Sequence, residues 1–388
     1  MIYDNLIKNN NPIREVKNKV NINFIKGAFV EISGSKNADY KIEFKDSETG
    51  VVHYVGDIKN NMWTRCSIEY FVKWKITIWE DGKLFYEYTY NASNKRVYIA
   101  LDSKALGDSI AWFPYLDEFG KKHNCKVVAS TFMNHMFETQ YPHIEFVEPG
   151  RNVENLYAMY TIGLYYNENN SINYFKNPID PKTVTMQKMC SDVLGLEYKE
   201  IKTKIKERVV KKDSNIKQVT IGITGTAQPK FWNNPKGWQE VVDWLNNRGY
   251  TVKLLSKETN GYMGNNYPTG VVKHPEGSLE LVMDEMLKSE AFIGIGSGLS
   301  WLSWALNVPT VLISGFSYDW AEMKDCIRIA APQGKCSGCF NRLRLDAGDW
   351  NWCPDHKGTE RQFECTKSIT SEMVIKELEK FLWEQEFG

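Results

Sequence analysis

The sequence predicts an α/β protein of two Rossmann-like halves, preceded by an all-β domain and carrying a cysteine-rich loop near its end. Three observations carry that reading. Short alternating strands crowd residues 20 to about 93. Strand, loop and helix patterns then occur in two separate runs. Four of the eight cysteines fall between 336 and 365.

The first region is justified strand by strand. "NINFIKGAFVEIS", "DYKIEFKD", "VVHYVGDI", "WTRCSIEYFVKWKITIWED" and "KLFYEYTYN" are alternating apolar and polar runs rich in β-branched and aromatic residues. Turn clusters separate them at Ser33-Gly34-Ser35, Thr49-Gly50 and Glu80-Asp81-Gly82. Residues 1–93 are therefore expected to form a small barrel or sandwich.

The pattern changes at Asn94. "RVYIAL" (96–101) reads as a buried strand, and "DSKALGDSIAWFPYLDEFGKKHN" as a loop passing into a helix. "CKVVAS" and "HIEFVEP" read as two further strands. A strand, crossover helix and strand imply a parallel sheet. This first half is taken as 94–215. Its segment 151–200, with "YAMYTIGLYYNENNSINYF", reads equally as a helical connector or a subunit contact.

The second half is taken as 216–388. "QVTIGITG", "TVKLLSKE", "AFIGIGS" and "TVLISG" are strands; "KGWQEVVDWLNNRG", "SLELVMDEMLKSE" and "GLSWLSWALN" are helices, with a last helix over about 370–385. Gly249 is placed as a helix stop. Ligands of open α/β sheets bind outside the carboxyl ends of the strands, so a two-half protein is expected to bind across the cleft between halves.

Composition narrows the function. The 388 residues carry 48 Lys+Arg and 48 Asp+Glu, a formal net charge of +0. The basic run Lys202 to Lys212 is broken by Glu207 and followed by Asp213, and reads as a solvated segment. Nucleic acid is thus a poor partner. No run approaches the ~20 apolar residues that span a bilayer. The start, MIYDNLIKNNNPIREVKNK, lacks the apolar core of a secretory signal. A cytosolic location is expected, where cysteines are free, catalytic or metal-bound.

Three stretches carry candidate chemistry. Asp108 lies in "LGDSIAWFP", just after the first strand of the first half, at or near a helix N-cap. It reads as a plain capping aspartate or as a general base facing the cleft. "GTAQPKFWNNPKGW" (225–238), with Thr224 before it, offers Thr226, Lys230 and Trp232 ahead of a helix start near Pro235. A lysine, threonine hydroxyls and helix amides suit a diphosphate, although no P-loop pattern is present. "IGIGSGLSWLSWALN" (293–307) brings Gly294, Gly296, Ser297 and Gly298 from a strand into a helix, a second anion candidate. Glu258, closing "TVKLLSKE", is positioned for ribose hydroxyls.

Cys336, Cys339, Cys353 and Cys365 follow a C-x2-C, C, C spacing. Four thiolates make a tetrahedral site suited to zinc or iron, closed and therefore structural. His356 is a substitute ligand. Such a metal would order a loop bearing Trp350, Trp352, Arg342 and Arg344, expected to present an aromatic and basic surface. Cys66, Cys125, Cys190 and Cys326 read as buried small hydrophobes.

The stretches "LDSKALGDSIAWFPYLDEF", "GTAQPKFWNNPKGW", "LLSKE", "GIGSGLSWLSWAL" and "CSGCFNRLRLDAGDWNWC" with Cys365 resemble the bacterial autotransporter heptosyltransferases, relatives of the lipopolysaccharide heptosyltransferases. The likeness runs from about residue 95 to the C-terminus, and the β domain is similar too. It implies a GT-B fold with a four-cysteine finger at 336–365 holding one iron. It implies an ADP-heptose donor, transfer to serine hydroxyls of an autotransporter adhesin, and a homo-oligomer. By motif position Asp108 resembles the base, Thr226 and Lys230 diphosphate contacts, and Glu258 with Gly296, Ser297, Gly298, Leu299 and Ser300 nucleotide contacts. Gly296 and Trp301 stand where the lipopolysaccharide branch has an acidic residue and a histidine. No D-x-D stands at a strand end, so no catalytic metal is expected; a lysine and helix amides can neutralise the leaving diphosphate. Two alternatives are a transferase using another nucleotide sugar or acceptor, and an inactive binding protein of the same fold.

Overall fold

The structure, a computed structural model, describes residues 12–14, 18–274 and 277–387. Most of the N-terminal stretch read for a secretory signal, residues 1–11 and 15–17, lies outside the described residues. The chain forms two compact units. One comprises the residues up to Lys104 with Trp112–Pro181 and Gln187–Ile201; the other comprises Ala105–Ala111, Lys182–Met186 and the chain from Lys202 on.

The first unit holds three sheets. Strands β1 (Pro12–Arg14), β2 (Lys19–Asn23), β3 (Phe29–Ser33), β4 (Asp39–Asp46), β5 (Val52–Lys59), β6 (Met62–Arg65), β7 (Trp74–Glu80) and β8 (Lys83–Thr89) build two antiparallel sheets, ordered β1-β2-β3-β6 and β5-β4-β7-β8. Alternation explains their faces. In β4, Tyr40, Ile42 and Phe44 are buried, and they lie opposite Glu80, Ile78 and Ile76 of β7. Trp74 closes this core edge-on to Phe44, centroids 6.5 Å apart.

The third sheet is parallel, ordered β11-β10-β9-β12, from β9 (Arg96–Leu101), β10 (Lys126–Ser130), β11 (Glu145–Phe146) and β12 (Leu156–Ile162). The expected helix after β9 is two helices, α1 (Leu106–Trp112) and α2 (Pro114–His123). Pro114 starts α2, where its missing N–H costs nothing. β12 corrects the reading of segment 151–200 as a connector or contact. All seven residues of LYAMYTI are buried, and the strand pairs along β9 from Arg96 to Leu101. A strand covered on both faces has no alternation to read.

Helix α3 (Met186–Val193) lies in the first unit apart from Met186. The second unit is built on one six-stranded parallel sheet. Its strands are β13 (Gln218–Gly222), β14 (Thr251–Leu254), β15 (Val272–Lys273), β16 (Ala291–Ile295), β17 (Thr310–Ser314) and β18 (Ile327–Ala330). The order is β15-β14-β13-β16-β17-β18. Helices α4 (Gly237–Asn247), α5 (Leu279–Lys288), α6 (Gly298–Ala305) and α9 (Ser371–Phe387) supply the crossovers and cover, and the short α7 (Cys339–Arg342) and α8 (Glu364–Lys367) lie in the cysteine loop. α4 starts at Gly237 rather than at Pro235, and Gly249 follows it at φ +80°. Val219, Ile221, Ile293, Ile295, Val311 and Ile313 are fully buried in the core. Among the described residues no helix is long and apolar enough to cross a membrane.

Candidate functional site

In the second unit, successive strands run outward from β13 through β14 to β15, then outward on the other side from β16 to β18. Connections leave β13 and β16 in opposite directions, so a crevice opens at their carboxyl ends. The two strands are in register, Gly222 beside Gly294. The loops 223–236 and 296–298 therefore start side by side.

One side chain of the first loop, Thr224, meets two from the loop after β14. The Thr224 hydroxyl donates to Glu258 Oε2 at 2.6 Å, and the Ser256 hydroxyl donates to the same oxygen at 2.9 Å. Burial pushes the Glu258 carboxyl up, but those hydroxyls, its own backbone N–H and the Lys257 charge outweigh it and hold the group below its ordinary range. Glu258 sits past the end of β14, which stops at Leu254. Ser256 carried no signal in the sequence beyond its place next to Glu258.

Lys230 ends a short 3-10 turn, Gln228–Lys230. Its stem lies along Gly225, whose added Cβ would meet Lys230 Cδ at 3.7 Å. Its ammonium stands 5.6 Å from the Phe316 ring centroid. Burial lowers its pKa below the ordinary lysine value, and the charges of Asp108 and Glu322 act against that. Among the described residues no carboxylate comes within ion-pair distance of it. Thr226 is exposed on the same loop. Trp232 is a correction. It is 3% exposed, edge-on to Trp238, and its Nε1–H donates to the Ile369 carbonyl at 2.9 Å. It belongs to the core, not to a ligand surface.

The second loop is built by glycines. An added Cβ at Gly298 would lie 2.9 Å from Leu106 Cβ and 3.2 Å from Gly107 N. One at Gly107 would lie 3.0 Å from Trp301 Cδ1. The amino ends of α1 and α6 thus touch backbone to backbone. Ser297 caps α6 without a capping bond, and its buried Oγ has no partner among the described residues. Two of the residues expected here point elsewhere. Ser300, 1% exposed, donates to the Ile295 carbonyl at 2.6 Å. Leu299 packs over Gly222, its Cδ1 3.2 Å from an added Cβ there.

Asp108 lies inside the first turn of α1 rather than at its N-cap. The segment Ala105–Ala111 belongs to the second unit. It is anchored there by the Thr203 hydroxyl, which donates to the Ile110 carbonyl, and by the glycine contacts above. Asp108 and Lys230 therefore share one unit, close enough for their charges to interact.

All four cysteines of the 336–365 loop line one small cavity of about 10 Å³, together with Pro229. Cys339, Cys353 and Cys365 are buried, and all are free thiols. Burial pushes the Cys339 thiol up to about 12 and Cys365 up to about 11, the neighbouring sulfurs adding to both. Converging sulfurs that raise one another suit a cation between them. Cys336, His356 and Glu364 also offer ligand atoms within 4.8 Å of one another. Glu364, however, already pairs with Arg361 at 2.5 Å and accepts the Cys336 N–H at 3.1 Å. The expected aromatic surface is corrected. Trp352 is buried against Phe316, and Trp350 packs edge-on to Phe231 and Tyr262. Arg342 pairs with Asp355. Of the scattered cysteines, Cys66 and Cys190 are buried, while Cys125 and Cys326 are partly exposed.

Residues 164–319 match the glycosyltransferase family 9 (heptosyltransferase) model. The chain is 34% identical to the autotransporter heptosyltransferase Aah of Escherichia coli, covering 89% of this chain and 90% of that protein. The chain belongs to the autotransporter heptosyltransferase family. A second relative, from Citrobacter rodentium, is 33% identical over 94% of this chain and 89% of its own length. The crystal structure of TibC from enterotoxigenic E. coli, described as an iron-containing dodecameric glycosyltransferase, superposes with a TM-score of 0.87 at 29% identity, covering 96% of this chain and 98% of that one. TibC is also known in complex with ADP-D-β-D-heptose. A more distant relative from Burkholderia thailandensis, 25% identical over 87% of this chain and 81% of its own length, is an inactive autotransporter heptosyltransferase. Family membership makes the present chain a glycosyltransferase of the heptosyltransferase type.

The Gly298 contact gives a test. Gly298→Ala should push Leu106 and Asp108 off their positions and cut transferase turnover by about 10- to 100-fold. Circular dichroism should remain that of the parent. Unchanged turnover would show that the approach of α1 to α6 is not needed.

Proposed function

We propose that the chain transfers heptose from ADP-heptose to a serine hydroxyl of an autotransporter-type protein, with inversion at the anomeric carbon. The observation that carries this is the presence of Asp108 and Lys230 in one unit, at the crevice where β13 and β16 diverge. A base and a cation for the leaving diphosphate are what such a transfer needs.

The steps follow from the residues. Lys230 holds the diphosphate, with the unbonded Ser297 hydroxyl and the α6 amino end beside it. Glu258, held ionised by Thr224 and Ser256, accepts ribose hydroxyls. The acceptor oxygen attacks the anomeric carbon on the face opposite the diphosphate. The bond from that carbon to the phosphate oxygen breaks, ADP leaves with the electron pair, and Asp108 takes the hydroxyl proton. Backside attack inverts the centre.

The overall layout is a GT-B arrangement with the β domain 1–93 ahead of halves 94–215 and 216–388. Cys336, Cys339, Cys353 and Cys365 would hold one iron as a structural ion, with zinc as the competing metal for an all-sulfur set. The TibC relative supports a homo-oligomer, and the expected location is the bacterial cytoplasm.

Incubation of the enzyme with an autotransporter passenger and ADP-heptose should add heptose units by mass spectrometry; a hexose donor should add none. Asp108→Asn should lower transfer by about 10²–10⁴-fold with ADP affinity retained. Near-parent activity would remove Asp108 as the base, and no transfer by the parent would favour the inactive binding protein.

The lowered pKa of Lys230 fixes a pH response. Its charged form binds the diphosphate, so ADP affinity should fall as pH rises through a midpoint below the ordinary lysine value of about 10.4. Lys230→Arg should abolish that fall. Affinity that stays flat to pH 10 in the parent would place the diphosphate elsewhere.

Replacing Cys336 and Cys339 together with Ser should remove the metal measured by plasma mass spectrometry and lower the thermal midpoint. Retained stoichiometric metal would assign it to other ligands, His356 and Glu364 first.

A further inference from the structure

A carboxylate stands at the rim of this site that no motif identified. Glu322 lies in the loop between β17 and β18, on the carboxyl side of the sheet. Its side chain is 10% exposed. Oε2 accepts the Ser317 hydroxyl at 3.0 Å and the Arg328 guanidinium at 3.1 Å. Ser317 is itself held by Ser314 at 3.1 Å. Oε1 makes no hydrogen bond among the described residues, and it lies 2.8 Å from where a Cβ on Gly296 would be. Only a residue without a side chain leaves that oxygen facing the 296–298 loop.

A carboxylate beside a diphosphate loop is a repulsive element, and a site built only for phosphate has no use for one. A nucleotide sugar, however, has two chemically different parts. Its diphosphate is anionic, and its sugar is a neutral polyol whose hydroxyls are donors. A carboxylate oxygen with unused lone pairs that faces the loop can accept a donated hydroxyl. Arg328 and Ser317 fix the carboxylate in place and leave one oxygen for that purpose.

We propose that Glu322 is the residue that recognises the sugar part of the donor, accepting a hydroxyl at Oε1 while Lys230 holds the diphosphate. This rests on the donor reading above. The Glu322 carboxylate also lies close enough to favour the charged form of Lys230, after Asp108. The sugar hydroxyls are present in the full donor and absent from ADP, so a contact at Oε1 separates the two.

The test is isothermal titration calorimetry of ADP and ADP-heptose with the parent, Glu322→Gln and Glu322→Asp. Gln is a weaker acceptor, and Asp keeps the charge for Arg328 but withdraws the oxygen by one methylene. Both variants should bind ADP-heptose about 10- to 100-fold more weakly, with ADP affinity equal to the parent's or tighter. If Glu322→Gln does not fold, Glu322→Asp is read by the same criterion. Equal weakening of both ligands would reduce Glu322 to the structural partner of Arg328, and no change in either would also overturn the proposal. A parent that binds neither ADP nor ADP-heptose would instead overturn the donor reading, a distinct result.

Discussion

The site is organised by one electrostatic constraint: an ammonium, that of Lys230, held partly out of water without an ion-pair partner among the described residues. Burying a cation in that way costs free energy unless something negative arrives. Two carboxylates, Asp108 and Glu322, lie near enough to temper the cost and too far to cancel it. The surface is therefore tuned for an anion that comes and goes. A salt bridge in the same place would stabilise the empty protein and compete with its ligand.

Holding that geometry requires close backbone approach, and the fold supplies it with glycine. Gly296 makes room for the Glu322 carboxylate and Gly298 for Leu106, while the Lys230 stem runs past Gly225 at ordinary contact distance. At Gly296 and Gly298 a methyl group would displace the carboxylate or the helix it meets. The strand order of the second unit explains why these positions coincide. Divergence at β13 and β16 brings the two loops to one edge, and the Thr203 bond to Ile110 keeps α1 on that edge.

Much of this was legible in the sequence, for identifiable reasons. Strands such as "RVYIAL" and "AFIGIGS" are short apolar runs bounded by turn residues, and α4 ends where Gly249 takes a positive φ. Loops after parallel strands are where ligands bind, so Asp108, Lys230 and Glu258 became candidates from their place and their chemistry together. What failed depended on which way a side chain turns. Trp232, Ser300, Trp350 and Trp352 have polar or aromatic chemistry that suits a ligand, yet each is turned into the core, where a carbonyl or another ring satisfies it. β12 was hidden because burial on both faces erases periodicity. Glu322 was invisible because its significance arises from the space above Gly296, twenty-six positions earlier in the chain.

The cysteine loop is tied to this chemistry through packing. The Gly338 N–H donates to the Gly315 carbonyl at 3.0 Å and the Phe340 N–H to Phe316 at 3.1 Å, so the loop is fastened to the end of β17. Phe316 packs on Cys339 and Trp352 on one side and offers its ring to Lys230 on the other. The Gln228 N–H, at the start of the turn that carries Lys230, donates to the Trp350 carbonyl at 3.1 Å, and Pro229 walls the cysteine cavity. A loop with only a small apolar cluster of its own has little to hold it in shape. An ion bound by its sulfurs would stiffen Phe316, Pro229 and Trp350 together. On the proposed reading, the thiol cluster would then act by fixing the turn that carries Lys230.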